Sequence, residues 1–222
     1  INSGEVYGFL GPNGAGKSTT IRTLLNFLQP TTGSATILGK DIVKDALAIR
    51  SSIGYLSGDM AMYPKMTGAQ YLEYMADLQG LNNRSVIKTM AKKLGADLNK
   101  KLGSLSRGNR QKIGIIQAFM HSPEVLILDE PTSGLDPLVQ ETFYGLIRDA
   151  KARGAAIFMS SHILSEVQKV CDRVGIIKDG TLISEKVIAE MAVEASQTFD
   201  IEFIGKPPLA KLRKVKGAKV ES

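Results

Sequence analysis

Gly11-Pro12-Asn13-Gly14-Ala15-Gly16-Lys17-Ser18-Thr19 is the stretch that decides how this 222-residue chain is read. It fits the phosphate-binding pattern G-x-x-x-x-G-K-[ST]. Three glycines let the backbone curl so that successive N–H groups face inward toward phosphate oxygens. Lys17 has the reach for β- and γ-phosphates, and the Ser18 hydroxyl is a Mg²⁺ ligand type. The flanks suit the loop. Residues 6–10, Val-Tyr-Gly-Phe-Leu, read as a short strand before it, and residues 18–25 read as a helix after it. That helix would add its N-terminal N–H groups and dipole to the anion site.

Working outward, β-branched runs alternate with helix-like segments. Strands are expected at 6–10, 34–38, 52–56, 125–128, 155–160 and 173–177. Helices are expected at 19–27, 69–79, 85–94, 107–121, 138–153 and 163–171. The alternation argues an α/β fold with a mainly parallel sheet. Residues 67–122 carry no convincing strand and read as a helical subdomain inserted into that core. Pro30-Thr31-Thr32-Gly33 and Asp179-Gly180 are turns, the second a hairpin. The chain divides at about residue 190. Beyond it, residues 199–204 alternate like a strand, Pro207-Pro208 opens a basic segment at 209–219, and residues 218–221 form another strand candidate. Residues 191–222 thus read as the start of a small appendage to a domain of residues 1–190.

Composition narrows the class. The chain is 43% hydrophobic and 23% charged, which is ordinary globular usage. The single cysteine, Cys171, excludes an intramolecular disulfide and suits a reducing compartment. No apolar run approaches the ~18 residues needed to cross a bilayer. The net charge of +6 comes without tryptophan or an aromatic-rich basic stripe, so it reads as a solvated surface and no nucleic-acid partner is expected.

A second constellation sits at Val125-Leu126-Ile127-Leu128-Asp129-Glu130. Four apolar residues ending in two carboxylates suit a parallel strand buried on both faces. Ligands in such folds lie at the carboxyl ends of strands. Asp129 is placed to hold Mg²⁺, directly or through water, and Glu130 to polarise an attacking water as general base. Pro131 stops the strand and frees Glu130 from its strict alternation. Ser106 is an N-cap for a helix beginning at Arg107, and Gly108 leaves that terminus open to a phosphate. Of the two histidines, His121 reads as a surface residue at a helix end, compatible with the dipole there.

These residues resemble the motifs of ATP-binding-cassette (ABC) proteins. Gly11–Thr19 and Leu126–Glu130 are similar to Walker A and Walker B, and Leu105-Ser106-Arg107-Gly108-Asn109 to the LSGGQ signature. Ser133-Gly134-Leu135-Asp136 resembles the D-loop, His162 the switch histidine, and Ile53-Gly54-Tyr55-Leu56 the approach to the Q-loop. The likeness covers at least residues 4–184, and it is nearest to ATPase subunits of ABC-2 type exporters. It implies a P-loop NTPase core with an antiparallel β-subdomain and a helical subdomain. It further implies an ATPase that binds Mg·ATP, packs head to tail with a second copy of itself, and drives a separate integral membrane permease from the cytoplasmic side. Gly11, Pro12, Asn13, Gly14, Ala15, Gly16, Lys17, Ser18 and Thr19 would hold the nucleotide, with Ser18 and Asp129 at Mg²⁺. Lys17, Glu130 and His162 would act in catalysis, Ser106, Gly108 and Asp136 would also bind nucleotide, and Ser106 would face the γ-phosphate held by Lys17 of the other copy.

The sequence departs from that pattern in three places. Gly58 stands where the Q-loop glutamine is expected, with Asp59 as a possible substitute. The signature reads Leu-Ser-Arg-Gly-Asn. Only ten residues precede Gly11, so the adenine-stacking aromatic residue and the first antiparallel strands have no counterpart, and a longer natural N-terminus is expected. Two rival readings are a cassette ATPase acting on DNA or ribosomes and a non-hydrolysing scaffold. The absence of a coiled-coil insertion and of a second motif set counts against the first. The joint presence of Lys17, Ser18, Asp129, Glu130 and His162 counts against the second.

Overall fold

The computed structural model describes residues 1–194 and Leu209. Its strands are β1 (Val6–Leu10), β2 (Thr36–Ile37), β3 (Lys40–Asp41), β4 (Ile53–Leu56), β5 (Val125–Asp129), β6 (Ala156–Ser161), β7 (Arg173–Lys178) and β8 (Thr181–Val187). Its helices are α1 (Lys17–Leu24), α2 (Ala46–Arg50), α3 (Gly68–Leu78), α4 (Ser85–Leu94), α5 (Arg107–Phe119), α6 (Pro137–Ala152), α7 (Leu164–Val170) and α8 (Ile188–Glu194). The strand and helix candidates beyond residue 194 lie outside the described residues, Leu209 apart.

Six strands form one sheet in the order β4-β5-β6-β1-β7-β8. The first five run parallel, and β8 turns back antiparallel to β7. The sheet side chains alternate between two cores, as the period of two requires. Val6, Leu126, Leu128, Ile157 and Met159 face the larger core, which also holds the buried residues of α3 to α7. Tyr7, Phe9, Ile127 and Phe158 face the smaller core under α1, with Ile21 and Leu25. Both faces are covered, which is why β5 reads as an unbroken apolar run.

The inserted subdomain is helical, as expected. Thr67 begins α3 through a capping box: its Oγ1 accepts from the Gln70 backbone N–H at 3.2 Å, and its own N–H donates to Gln70 Oε1 at 2.9 Å. In α4, Ile87, Met90, Ala91 and Leu94 are buried at helical spacing, and Gly95 ends the helix in the left-handed region. Arg84 ties α4 to α3 through Glu73 and Asp77. Ile113, Ile115 and Ile116 of α5 are fully buried, each contributing roughly 1.5–3 kcal/mol.

Several boundaries differ from the sequence expectation. The helix after the loop begins at Lys17 and stops at Leu24, because the chain turns left-handed at Asn26. The segment expected as one strand at 34–38 is a two-residue strand paired in a hairpin with β3. The hairpin at Asp179-Gly180 is present, and β8, which sequence reading missed, forms its second arm. Its residues are mostly exposed and lack the alternation that would have marked them. His121 is not a surface residue. It is half-buried, with both ring nitrogens out of contact with solvent, and burial pushes its pKa down.

Candidate functional site

The site is built where three neighbouring strands end. In the sheet register, Leu10 of β1 lies opposite Ser161 of β6, and Asp129 of β5 lies opposite Ser160 of β6. The phosphate-binding loop, the acidic pair and the segment bearing His162 therefore leave the sheet side by side. The Gly11 N–H donates to the Ser161 carbonyl at 3.2 Å and fixes the loop to β6.

Within the loop, Gly14 and Gly16 have φ of 80° and 106°, a backbone region that strains residues with a Cβ. Gly16 is the N-cap of α1, and no side chain caps that helix. Its first N–H groups are thus left for an anion. Lys17 is 5% exposed. Its Nζ donates to the carbonyls of Gly11 at 2.8 Å and Pro12 at 3.1 Å, and lies 3.5 Å from Glu130 Oε1. The same carboxylate oxygen lies 3.2 Å from His162 Nδ1. Lys17, Glu130 and His162, which come from three distant stretches of sequence, meet at one atom.

Glu130 reaches that position because its φ is +46°. An L residue there departs from the strand, so the side chain is no longer bound to the alternation of β5. Asp129 keeps the strand geometry and is 6% exposed. Gly58 lies against it: a methyl group at Gly58 would sit 3.7 Å from Asp129 Oδ2. The Asp59 carboxylate is exposed, and the Asp59 backbone is tied to Ser57 Oγ.

Ser106 caps α5 as its sequence predicts, accepting from the Asn109 N–H at 3.3 Å. It is exposed and shares no hydrogen bond with the phosphate loop. Gly108 shows a packing demand that its sequence did not reveal. A methyl group there would come within 2.6 Å of the Gly134 carbonyl, so the missing side chain admits the following loop. Arg107 reinforces the contact, donating to Ser133 Oγ at 2.8 Å. Asp136 caps α6, accepting from the Val139 N–H at 3.0 Å, with Pro137 at the first helical position.

Sequence reasoning missed a set of supporting groups. Thr132 Oγ1 donates to Glu166 Oε1, and Ser161 Oγ donates to Glu166 Oε2, both at 2.7 Å. Glu166 on α7 thus joins the segment after Glu130 to the segment before His162. Its separation from Thr132 in sequence hid the pairing. A larger groove of about 840 Å³ lies elsewhere, between the β2–β3 hairpin and the opposite ends of β5 and β6. The site has a smaller pocket of about 250 Å³ bordered by Glu130, His162 and Glu166. The chemistry favours the smaller one, because the charged groups converge there.

The ABC transporter family matches residues 1–133. The chain belongs to the ABC transporter family. It is 41% identical over 188 residues to the bacitracin transport ATP-binding protein BcrA of Bacillus licheniformis, covering 83% of this chain and 61% of BcrA. It is 37% identical over 210 residues to the ABC transporter ATP-binding protein NatA of Bacillus subtilis (strain 168), covering 92% of this chain and 85% of NatA. Among solved structures, an ATP-binding subunit of an ABC transporter superposes with a TM-score of 0.79 at 28% identity, covering 87% of this chain and 83% of that one. The cassette MJ0796, solved as a dimer bound to ADP and Pi, has the same fold, with a TM-score of 0.77 at 23% identity over 85% of this chain and 87% of that one. In this ABC family member, the ends of β1, β5 and β6 bring together Lys17, the Asp129–Glu130 pair and His162.

Proposed function

We propose that this chain is the ATP-binding and hydrolysing subunit of an ABC-2 type exporter. In this reading it dimerises head to tail around Mg·ATP and powers a separate membrane permease. The observation that carries it is the meeting of Lys17 and His162 at Glu130 Oε1, beside an uncapped helix N-terminus. Positioning and charge, rather than covalent chemistry, are what phosphoryl transfer asks of a protein.

The geometry supports the following roles. The backbone from Gly11 to Thr19 and the α1 N-terminus bind the phosphates. Lys17 gives up part of its hold on the Gly11 and Pro12 carbonyls to meet the β- and γ-phosphates. Glu130 orients and polarises the attacking water, and His162 holds Glu130 in place and faces the γ-phosphate. Ser106, Gly108 and Asp136 address the nucleotide of the second copy, since Ser106 is exposed and lies outside the phosphate loop's hydrogen bonds.

The residues present fit Mg²⁺. Ser18 and Asp129 supply hard oxygen donors, and no group of three or more His, Cys, Asp or Glu side chains able to hold a metal occurs among the described residues. Magnesium keeps several waters and uses phosphate oxygens, so one or two protein ligands suffice. Its contribution when bound is to neutralise phosphate charge.

No helix among the described residues is long and apolar enough to cross a membrane. In this reading, which rests on membership of the ABC transporter family, the permease supplies the membrane contact and this chain sits at its cytoplasmic face. The transport role of BcrA, given in its name, supports the exporter assignment.

Glu130→Gln tests the reading. It retains the shape and removes the base, a change worth ~10²–10⁴-fold in turnover. The variant is expected to bind ATP and accumulate as a nucleotide-bound dimer in light scattering with Mg²⁺. A variant that hydrolyses ATP at the wild-type rate would refute the role.

A further inference from the structure

We propose that Ser160 is a positioning residue for the Asp129–Glu130 pair, its buried hydroxyl setting the orientation of one carboxylate and the backbone of the other. The proposal rests on the reading above that these two residues act on Mg·ATP.

Ser160 is fully buried near the end of β6, opposite Asp129 in the parallel register. Its Oγ donates to Asp129 Oδ1 at 2.6 Å. The same Oγ accepts the Glu130 backbone N–H at 3.0 Å. The chain of bonds has one possible direction. A backbone N–H only donates, and an ionised carboxylate only accepts, so the linking group must do both. A hydroxyl does so within the space of a serine. Alanine would leave two buried polar atoms without partners, and valine would fill the space and leave the same two orphans.

Each bond has a separate consequence. The first occupies Asp129 Oδ1 and leaves Oδ2, the oxygen on the side of Gly58, as the one that would serve Mg²⁺. The second anchors the N–H of a residue held at φ +46°. That left-handed turn brings the Glu130 carboxylate to Lys17 and His162. Strain of this kind persists only where surrounding groups over-determine it. The neighbouring Ser161 cannot take over. Successive strand residues point to opposite faces, and Ser161 Oγ is engaged with Glu166 at 2.7 Å.

The test compares wild type, Ser160→Ala and Ser160→Thr by thermal unfolding, by titration with a fluorescent ATP analogue in Mg²⁺, and by steady-state ATPase assay. Ser160→Ala is expected to bind nucleotide within about threefold of wild type, because the phosphate loop is untouched. Its turnover is expected to fall at least ~10-fold, since a misplacement of about 1 Å costs up to ~10². Half-maximal turnover should require more Mg²⁺. Ser160→Thr restores the hydroxyl and most of the rate. If Ser160→Ala does not fold, Ser160→Cys keeps the volume with a weak donor and is expected to show the same separation of binding from turnover.

Three results overturn the role: Ser160→Ala turnover within twofold of wild type, a threonine variant no faster than the alanine one, or parallel loss of binding and turnover. Failure of the functional reading is distinguishable. A wild-type protein that binds ATP and never hydrolyses it refutes that reading, whereas an active wild type with an equally active Ser160→Ala refutes only the role of Ser160.

Discussion

Replacing Gly108 by alanine separates packing from helix propensity. Alanine in a helix interior is ordinarily favoured over glycine by roughly 0.5–1 kcal/mol, which is an upper bound for Gly108, the second residue of α5. At Gly108 the new methyl would lie 2.6 Å from the Gly134 carbonyl oxygen, whereas ordinary contact begins at 3.4 Å. The start of α5 and the loop at Gly134 must therefore part by about 0.8 Å. The Arg107 side chain runs beside Gly134 and donates to Ser133 Oγ at 2.8 Å, which ties the two segments together. Overpacking of this kind costs typically 1–3 kcal/mol. Set against the propensity gain, a net loss of about 1 kcal/mol remains, or ~2–4 °C in midpoint for a domain this size. Gly145 is the control. It lies within α6 with nothing within 4 Å of a built methyl, so Gly145→Ala is expected to raise the midpoint by ~1–4 °C. Thermal unfolding followed by circular dichroism reads both. A rise for Gly108→Ala equal to that for Gly145→Ala would refute the close approach of the two loops.

Lys17→Ala removes charge-assisted bonds to phosphate, worth ~1.5–3 kcal/mol, so nucleotide affinity is expected to fall about tenfold or more in a fluorescence titration. Unchanged affinity would contradict the placement of Lys17 at the nucleotide. Burial pushes the Cys171 thiol up from 9.0 to about 12. Its neutral form is favoured by folding, so that contribution is intact below about pH 9 and is lost as pH rises toward 12. A thiol reagent at pH 8 is expected to react slowly with native protein and quickly after denaturant is added; equal rates would refute the burial.

The local parts of this protein were legible in the sequence. Gly14 and Gly16 announced a loop needing left-handed backbone, and Ser106 announced the start of a helix. The apolar run before Asp129 announced a strand covered on both faces. These features depend on neighbours within a few residues, where steric limits and hydrogen-bonding capacity act directly. The alternation of elements gave the α/β class for the same reason. The short strand β3 and the exposed β8 escaped notice, and β2 was expected longer than it is, because little side-chain burial marks them.

The sheet order and register belong to the tertiary structure. They place Ser160 opposite Asp129 and Ser161 opposite Leu10, and so bring Lys17, Glu130 and His162 together at one oxygen. Sequence named those three residues but held no account of Ser160, whose two partners lie 30 or more positions away, or of the bond from Thr132 to Glu166 across 34 positions. It likewise read Gly108 as an opening for phosphate and could not show the Gly134 carbonyl pressed against it. A hydrogen bond or a steric contact depends on distance in space, and backbone propensity carries no record of which distant strand will become the neighbour.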